Sequence, residues 1–379
     1  MIKVDLIVGA RPNFIKIAPI IHAIEKANEL EQLIKYRLIH TGQHYDANMS
    51  ETFFKQLEIP KPDFNLNIGG GTQAEQTAGI MVGYEKLLLE EKSDLCIVVG
   101  DVTSTMACAI TARKMLVPVA HVEGGIRSGD WTMPEEINRV VTDSITNYFF
   151  TTSETANENL RRSGFKDENI FFVGNTMIDS LLKNRPRFSK PDIWDLLNLK
   201  EKEFIVLTLH RPANVDEEAK LKELIDEIIL NSPGLPLIFP VHPRTAKIIS
   251  NLGISHPRLH MIEPMGYLEF NYLVERCKAV ITDSGGITEE ATVMGVPCMT
   301  LRDNTERPET ITIGTNELLG INPKAIKPAM EKLYRGIWKN GSIPEKWDGN
   351  SGNRIINILC ESLNHRLKKK IDPHLCADL

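Results

Sequence analysis

The feature that most constrains this chain is a rhythm: short runs rich in Val, Ile and Phe alternate with longer stretches whose apolar residues recur at helical spacing. Strands apolar on both faces belong in a parallel sheet covered by helices, so the pattern predicts repeated βαβ units and an α/β fold. The first half offers strands at Lys3–Val8, Tyr36–His40, Asp94–Val99, Val117–His121, Tyr148–Thr151 and Ile170–Val173. A second series follows at Phe204–Leu209, Leu237–Val241, Leu259–Ile262, Ala279–Thr282 and Pro297–Leu301. At 379 residues the chain is too long for one ordinary compact core. Two doubly wound domains with a cleft between them are therefore expected.

The boundary is expected between Gly174 and Ser189, where a strand passes through a helix into a Pro- and Lys-containing stretch, giving domains at 1–174 and 175–353. The last helix, Arg354 to Lys370, carries Ile355, Ile356, Leu359, Leu363 and Leu367 on one face that must be buried.

Charge narrows the partners. A formal net charge of -6 argues against a nucleic-acid surface, which needs a basic face, so an anionic ligand must meet a local basic pocket. The apolar start reaches Gly9, Arg11 and Pro12 without a signal-peptide core, and no run approaches the roughly 20 residues of a membrane helix. Six cysteines without a CxxC pair read as reduced, mostly buried thiols, and a cytoplasmic protein is expected.

In doubly wound folds ligands bind outside the carboxyl ends of the strands, and the residues there are unusually polar. The first half places Arg11, Lys16, Gln43, His44, Asp101, His121 and Glu123 at such positions, with Arg127, Glu135, Glu136 and Arg139 close behind. The second half places His210, Arg211, His242, Arg244, Asp283 to Gly286 and Arg302 to Arg307. In AVITDSGGITEEA a strand runs through Ser284, Gly285 and Gly286 into a helix, where free N–H groups suit a phosphate. Simple capping by Asp283 or Ser284 is about as good a reading of that segment alone, and Arg307 opposite it favours phosphate. Glu289 and Glu290 serve as helix-dipole partners, or one of them accepts from ribose hydroxyls.

Asp101 reads alone as a helix N-cap, and the charges around Gly124-Gly125 as a solvated loop. Glu123 weakens the second reading, because a residue directly after a strand projects toward the crevice. His210-Arg211 and His242-Pro243-Arg244, each ending a strand, together favour a shared anionic site. No GxGxxG follows the first strand, so a nicotinamide cofactor gets little support. The histidines lack metal-site spacing, and no GxSxG elbow is present.

Together the segments GARPNFIK, TGQH, GDVTST, HVEGGIR, PEEINR, GNTMIDSL, TLHRPAN, PVHPR, TDSGGITEEA and RDNTERPE resemble the non-hydrolysing UDP-N-acetylglucosamine 2-epimerases, in order and over essentially the whole chain. The resemblance implies the GT-B architecture, two Rossmann-like domains with the active site between them, the C-terminal helix (354–379) packing back on the first, and a homodimer. No cofactor and no metal are implied; the partner is a UDP-linked N-acetylhexosamine. By motif, Asp101, Glu123 and Glu135 correspond to the family's essential carboxylates and His210 to its essential histidine. Arg11, Lys16, Ser284, Gly285, Gly286, Glu290 and Arg307 match UDP-binding positions, Phe270 matches the aromatic beside uracil, and His242 joins them as a candidate for the anionic site.

The start Arg11-Pro12-Asn13-Phe14-Ile15-Lys16 differs from the RADYG-like start of hydrolysing relatives, which favours a product that keeps its UDP bond. The variants QHYDANM and HRPAN replace the QHxxMLD and HRREN of enzymes activated by their own substrate. The same variants resemble relatives acting on UDP-2,3-diacetamido-glucuronic acid. The family reaction is anti elimination of UDP to 2-acetamidoglucal and re-addition after protonation of C2 from the other face. It needs acid/base groups on both faces of the ring and a cradle for the departing diphosphate. Two rivals share the nucleotide pocket: a GT-B glycosyltransferase, and a non-catalytic UDP-sugar sensor that has no use for Asp101, Glu123 and Glu135.

Overall fold

The computed structural model describes residues 1–42, 53–215, 217–241 and 243–371. They fall into two compact units, Met1–Leu182 with the returning C-terminal segment from Glu345, and Lys183–Pro344. Each is built on one parallel sheet.

In the first unit, strands β1 (Ile2–Val8), β2 (Ile34–His40), β3 (Phe64–Asn65), β4 (Leu95–Val99), β5 (Val119–Val122), β6 (Tyr148–Thr151) and β7 (Ile170–Phe172) lie in the order β3-β2-β1-β4-β5-β6-β7. Helices α1 (Arg11–Leu30), α2 (Gln73–Glu90), α3 (Thr103–Lys114), α4 (Pro134–Ser144), α5 (Glu154–Arg162) and α6 (Thr176–Asn184) connect them. Every residue of β4 is buried, as expected of a central parallel strand with both faces covered. The order reverses between β1 and β4, which makes their carboxyl ends the natural ligand crevice of this sheet.

The second unit repeats the scheme with β8 (Ile205–Thr208), β9 (Leu237–Pro240), β10 (Leu259–Ile262), β11 (Ala279–Thr282), β12 (Cys298–Thr300) and β13 (Asn316–Leu318), in the order β10-β9-β8-β11-β12-β13. Its main helices are α7 (Glu218–Asn231), α8 (Pro243–Asn251), α9 (Tyr267–Arg276), α10 (Gly285–Met294) and α11 (Ile326–Tyr334). Alternation along the strands divides the core: Ile205, Leu207 and Phe239 join one apolar cluster, Val206, Ile238 and Val280 the other. Here the order reverses between β8 and β11.

The last helix, α12 (Ser351–Ile371), packs on α1 of the first unit. A proline explains part of the junction. Pro19 inside α1 has no N–H for the carbonyl of Ile15, and the Ser180 hydroxyl donates to that oxygen instead at 2.5 Å. Gly352 sits so close to Pro19 that a side chain there would meet the Pro19 carbonyl oxygen at 2.5 Å. Asp179 Oδ2 accepts from the Gly352 amide at 2.8 Å, satisfying a free N–H at the start of α12. Burial pushes that carboxyl up to about 6, against the backbone donors Gly352 and Ser351 that favour its ionised form. Ahead of the helix, fully buried Trp347 donates from Nε1 to Thr152 O at 3.1 Å.

Eleven of the thirteen strands match the sequence expectation; β3 and β13 do not. Both are sheet edges of two and three residues, too short and too polar to make an apolar run.

Candidate active site

The switch point of the first sheet begins with Asn13. Ala10 occupies the N-cap of α1 without a side-chain oxygen, so Asn13 Oδ1 takes the Ala10 amide at 2.9 Å while its Nδ2 donates to Val99 O at 2.9 Å. This side chain ties the end of β1 to the end of β4. One turn into α1, Lys16 Nζ lies 2.7 Å from Glu123 Oε2, with 10% and 3% of the two side chains exposed. Such a pair survives burial only because each charge compensates the other. Glu123 holds a left-handed backbone, φ 73°, uncommon for a residue with a side chain. Gly100 beside it also has positive φ, and a Cβ there would stand 3.3 Å from Lys16 Nζ and 3.7 Å from Glu123 Oε2. Glycine leaves room for the pair. Arg11, the first residue of α1, is exposed at the end of β1.

Asp101 is no helix cap. Val102 is the N-cap of α3, and the Asp101 carboxylate is gripped by Arg139, whose Nε and Nη2 reach Oδ2 at 3.1 and 2.5 Å. Asn138 Nδ2 donates to the Asp101 carbonyl at 2.8 Å. Arg139 is held in turn by Glu136 at 2.7 Å. Burial raises the Glu136 carboxyl, but the amides of Ser128 and Gly129 with Arg139 outweigh it and keep the group below its ordinary value. The adjacent acids on α4 therefore differ: Glu136 is consumed by structure, and Glu135 is half-buried in the first turn of the helix, its side chain without a hydrogen bond or ion pair among the described residues.

At the switch point of the second sheet, Asp283 is fully buried and His210 has 62% of its side chain exposed, with His210 Nδ1 2.8 Å from Asp283 Oδ1. The same carboxylate accepts from the amides of His210 at 3.0 Å and Arg211 at 2.9 Å and from Asn214 Nδ2 at 3.1 Å. Burial raises Asp283, and these donors, His210 foremost, more than reverse it and hold the carboxyl below its ordinary value. The Asp holds the ring through Nδ1, so any proton chemistry of this side chain falls to Nε2.

Ser284 is the N-cap of α10 and makes no side-chain capping bond, so the amides at Gly285 and Gly286 begin the helix uncapped by it. Arg302 and Arg211 gather nearby around Glu306, at 2.7 and 4.0 Å. Arg307 is buried, with Nε 2.7 Å from Glu289 on α10. Glu290 is buried on the same helix and accepts from Tyr267 Oη at 2.8 Å. Burial pushes its carboxyl up to about 7, and the hydrogen bonds from Tyr267 and Asn271 pull the other way. Phe270, one turn along α9 from Tyr267, is half-buried. Gln43, His44 and His242 lie outside the described residues.

The structure thus joins Lys16 with Glu123, and His210 with a partner, Asp283, that the sequence offered only as a cap or phosphate ligand. Arg139 as the holder of Asp101 was also missed. Each contact crosses between strands or helices far apart in the chain, so no local signal announces it. Among the described residues no cluster of three His, Cys, Asp or Glu side chains is arranged to hold a metal, and no helix is long and apolar enough to cross a membrane.

A family model described as UDP-N-acetylglucosamine 2-epimerase matches residues 26–360. The UDP-N-acetylglucosamine 2-epimerase of Methanocaldococcus jannaschii is 43% identical over 94% of this chain and 98% of its own. The UDP-2,3-diacetamido-2,3-dideoxy-D-glucuronate 2-epimerase of Pseudomonas aeruginosa is 40% identical over 95% of this chain and 99% of its own. The crystal structure of the M. jannaschii enzyme in complex with UDP-GlcNAc and UDP superimposes with a TM-score of 0.86 at 43% identity, covering 95% of this chain and all of the other. The fold is the one these enzymes share, a GT-B-like α/β architecture of two Rossmann-like domains. With family, fold and sequence in agreement over nearly its full length, the chain belongs to the UDP-N-acetylglucosamine 2-epimerase family.

Proposed function

We propose that this chain is a non-hydrolysing 2-epimerase interconverting UDP-GlcNAc and UDP-ManNAc. The observation that carries the reading is the buried Lys16–Glu123 pair at the switch point of the first sheet, a carboxylate held in an uncommon backbone conformation beside a cation. Strain of that kind collects at functional sites. The C2 proton of an N-acetylhexosamine is not acidic, so its removal needs departure of the leaving group. A carboxylate takes the proton, the C1–O bond breaks, and UDP leaves with the bonding pair, giving 2-acetamidoglucal. A second group protonates C2 on the opposite face and the UDP oxygen returns to C1. Asp101, Glu123 and Glu135 supply the acid/base groups.

Charge growing on the departing diphosphate is met by His210, oriented by Asp283, and by the helix start at Ser284, Gly285 and Gly286, while Arg11 is a UDP-binding position by motif resemblance. Arg307 acts there through its hold on Glu289, while Glu290 takes the ribose and Phe270 the uracil. His242, outside the described residues, stays a candidate for the anionic site on its motif alone. The family resemblance further supports a cytoplasmic homodimer that supplies a surface-polysaccharide precursor.

A second reading, epimerisation of a UDP-2,3-diacetamido-uronic acid, is favoured by the 40% identity to the P. aeruginosa enzyme and keeps the same chemistry. Proton NMR of UDP-GlcNAc with the purified protein in D2O tests both. Deuterium at C2 with UDP-ManNAc formation is expected. Free ManNAc plus UDP would show the hydrolysing type, and exchange confined to the diacetamido-uronic acid substrate would establish the second reading.

A further inference from the structure

We propose that Asp143 is a positioning residue for the candidate catalytic carboxylates, acting through His121 and the backbone of Gly125; the kinetic part of this proposal rests on the 2-epimerase reading. Asp143 lies near the end of α4, closed to solvent. Its Oδ1 meets His121 Nδ1 at 2.7 Å, and its Oδ2 accepts from the Gly125 amide at 3.0 Å and faces Arg127 Nη1 at 2.6 Å. The other His121 nitrogen, Nε2, lies 2.8 Å from Gly100 O. A carbonyl only accepts, so Nε2 carries a hydrogen and the ring is fixed at both ends.

The consequences fall on the catalytic candidates. Gly100 immediately precedes Asp101, and Gly125 follows Glu123 by two residues. Asp143 therefore clamps the turn after β4 and the turn after β5 to each other, while Asn138 and Arg139 of the same helix hold Asp101 itself. Glu123 keeps a left-handed backbone, which persists only where its surroundings over-determine it. The Glu123 amide donates to Phe150 O at 2.9 Å on one side, and Asp143 fixes Gly125 on the other. Neither His121 nor Asp143 needs to touch substrate. Their work is to fix the geometry of groups that do.

The test uses D143N, which preserves shape and removes the charge, with turnover expressed per UDP-binding site so that misfolded protein does not count. Turnover falls roughly 100-fold with KM nearly unchanged, the mark of misplaced catalytic groups. His121→Asn falls similarly, and the double variant is no slower than the slower single one, because both changes break one device. Amide hydrogen exchange accelerates in residues 100–102 and 123–127 and stays protected in β8 and β11. Wild-type turnover per site, or additive losses, overturns the proposal. So does unchanged local exchange, a result that is informative even if the wild-type protein epimerises neither sugar. Should D143N fail to fold, Arg127→Gln, which removes the more exposed partner of the same carboxylate, must show the same kcat-only loss; an unaltered kcat overturns the clamp.

Discussion

Lys16 and Glu123, 107 residues apart in the chain, meet at 2.7 Å with both side chains almost closed to solvent. Removing one charge strands the other in a medium that solvates it poorly. Glu123→Gln is therefore expected to fold with a stability loss of about 3 kcal/mol and to lose at least about 100-fold in turnover. Adding Lys16→Met recovers much of the stability and none of the activity. Chemical denaturation and the NMR assay on the same three variants check this, and wild-type-like epimerisation by Glu123→Gln removes the residue from the mechanism.

His210 and Asp283 should behave as one unit. Asp283→Asn disturbs the carboxylate that orients the ring and two backbone amides, so turnover falls toward that of His210→Asn, and the double variant is no worse than the poorer single one. Additive losses would mean that Asp283 works independently of the histidine. The depressed carboxyl carries a sign of its own: its stabilisation is complete above about pH 4 and is lost as pH falls through its folded value. Relative to Asp283→Asn, the wild-type stability advantage should shrink only in acid.

Glu290 has the opposite sign. Its carboxyl is pushed up to about 7 from an ordinary 4.5, so the folded protein binds this proton more tightly than the unfolded chain between those values. Stability falls as pH rises through that window, by about 3 kcal/mol once ionisation is complete. Glu290→Gln should match the wild type near pH 4.5 and exceed it at pH 8 in denaturant titrations. If the ionised carboxylate receives the ribose hydroxyls, UDP binding to the wild type strengthens with pH through neutrality and releases a proton. Calorimetry in buffers of different ionisation enthalpy reads that proton, and a variant with the same pH dependence would exclude Glu290 as its source.

The tightest backbone approach of the returning C-terminal segment is at Gly174. Gly174 holds φ 95°, and a Cβ there would lie 2.0 Å from the backbone carbonyl oxygen of Lys346. Backbone cannot swing aside as a side-chain tip can. Gly174→Ala should cost roughly 3 kcal/mol or more, with accelerated amide exchange in residues 346–354. Wild-type melting would show that this junction yields.

Local pattern revealed eleven strands because each is an apolar run that ends in a turn signal. It passed over Phe64–Asn65 and Asn316–Leu318, where edge position asks for neither length nor apolarity. The C-terminal helix was legible from its apolar face and extends from Ser351, three residues before the expected start. Among the candidate site residues, position at a strand end brought Asp101, Glu123 and His210 into a longer set of polar residues and weakened the simpler reading for Glu123, and motif resemblance named Asp101, Glu135 and Glu290. Pattern did not separate Glu135 from Glu136. The difference lies in the amides of Ser128 and Gly129 and in Arg139, which occupy Glu136 alone.

The sequence by itself determined the fold class, the polar residues that end each strand and, through its motifs, the family, since all of these are written in short stretches of chain. Tertiary structure decided the partners. Asp283 meets His210 because β11 lies beside β8, and His121 reaches Gly100 because β5 lies beside β4. Which strands become neighbours depends on burying both faces of a whole sheet under its helices, a condition that no local stretch of residues contains.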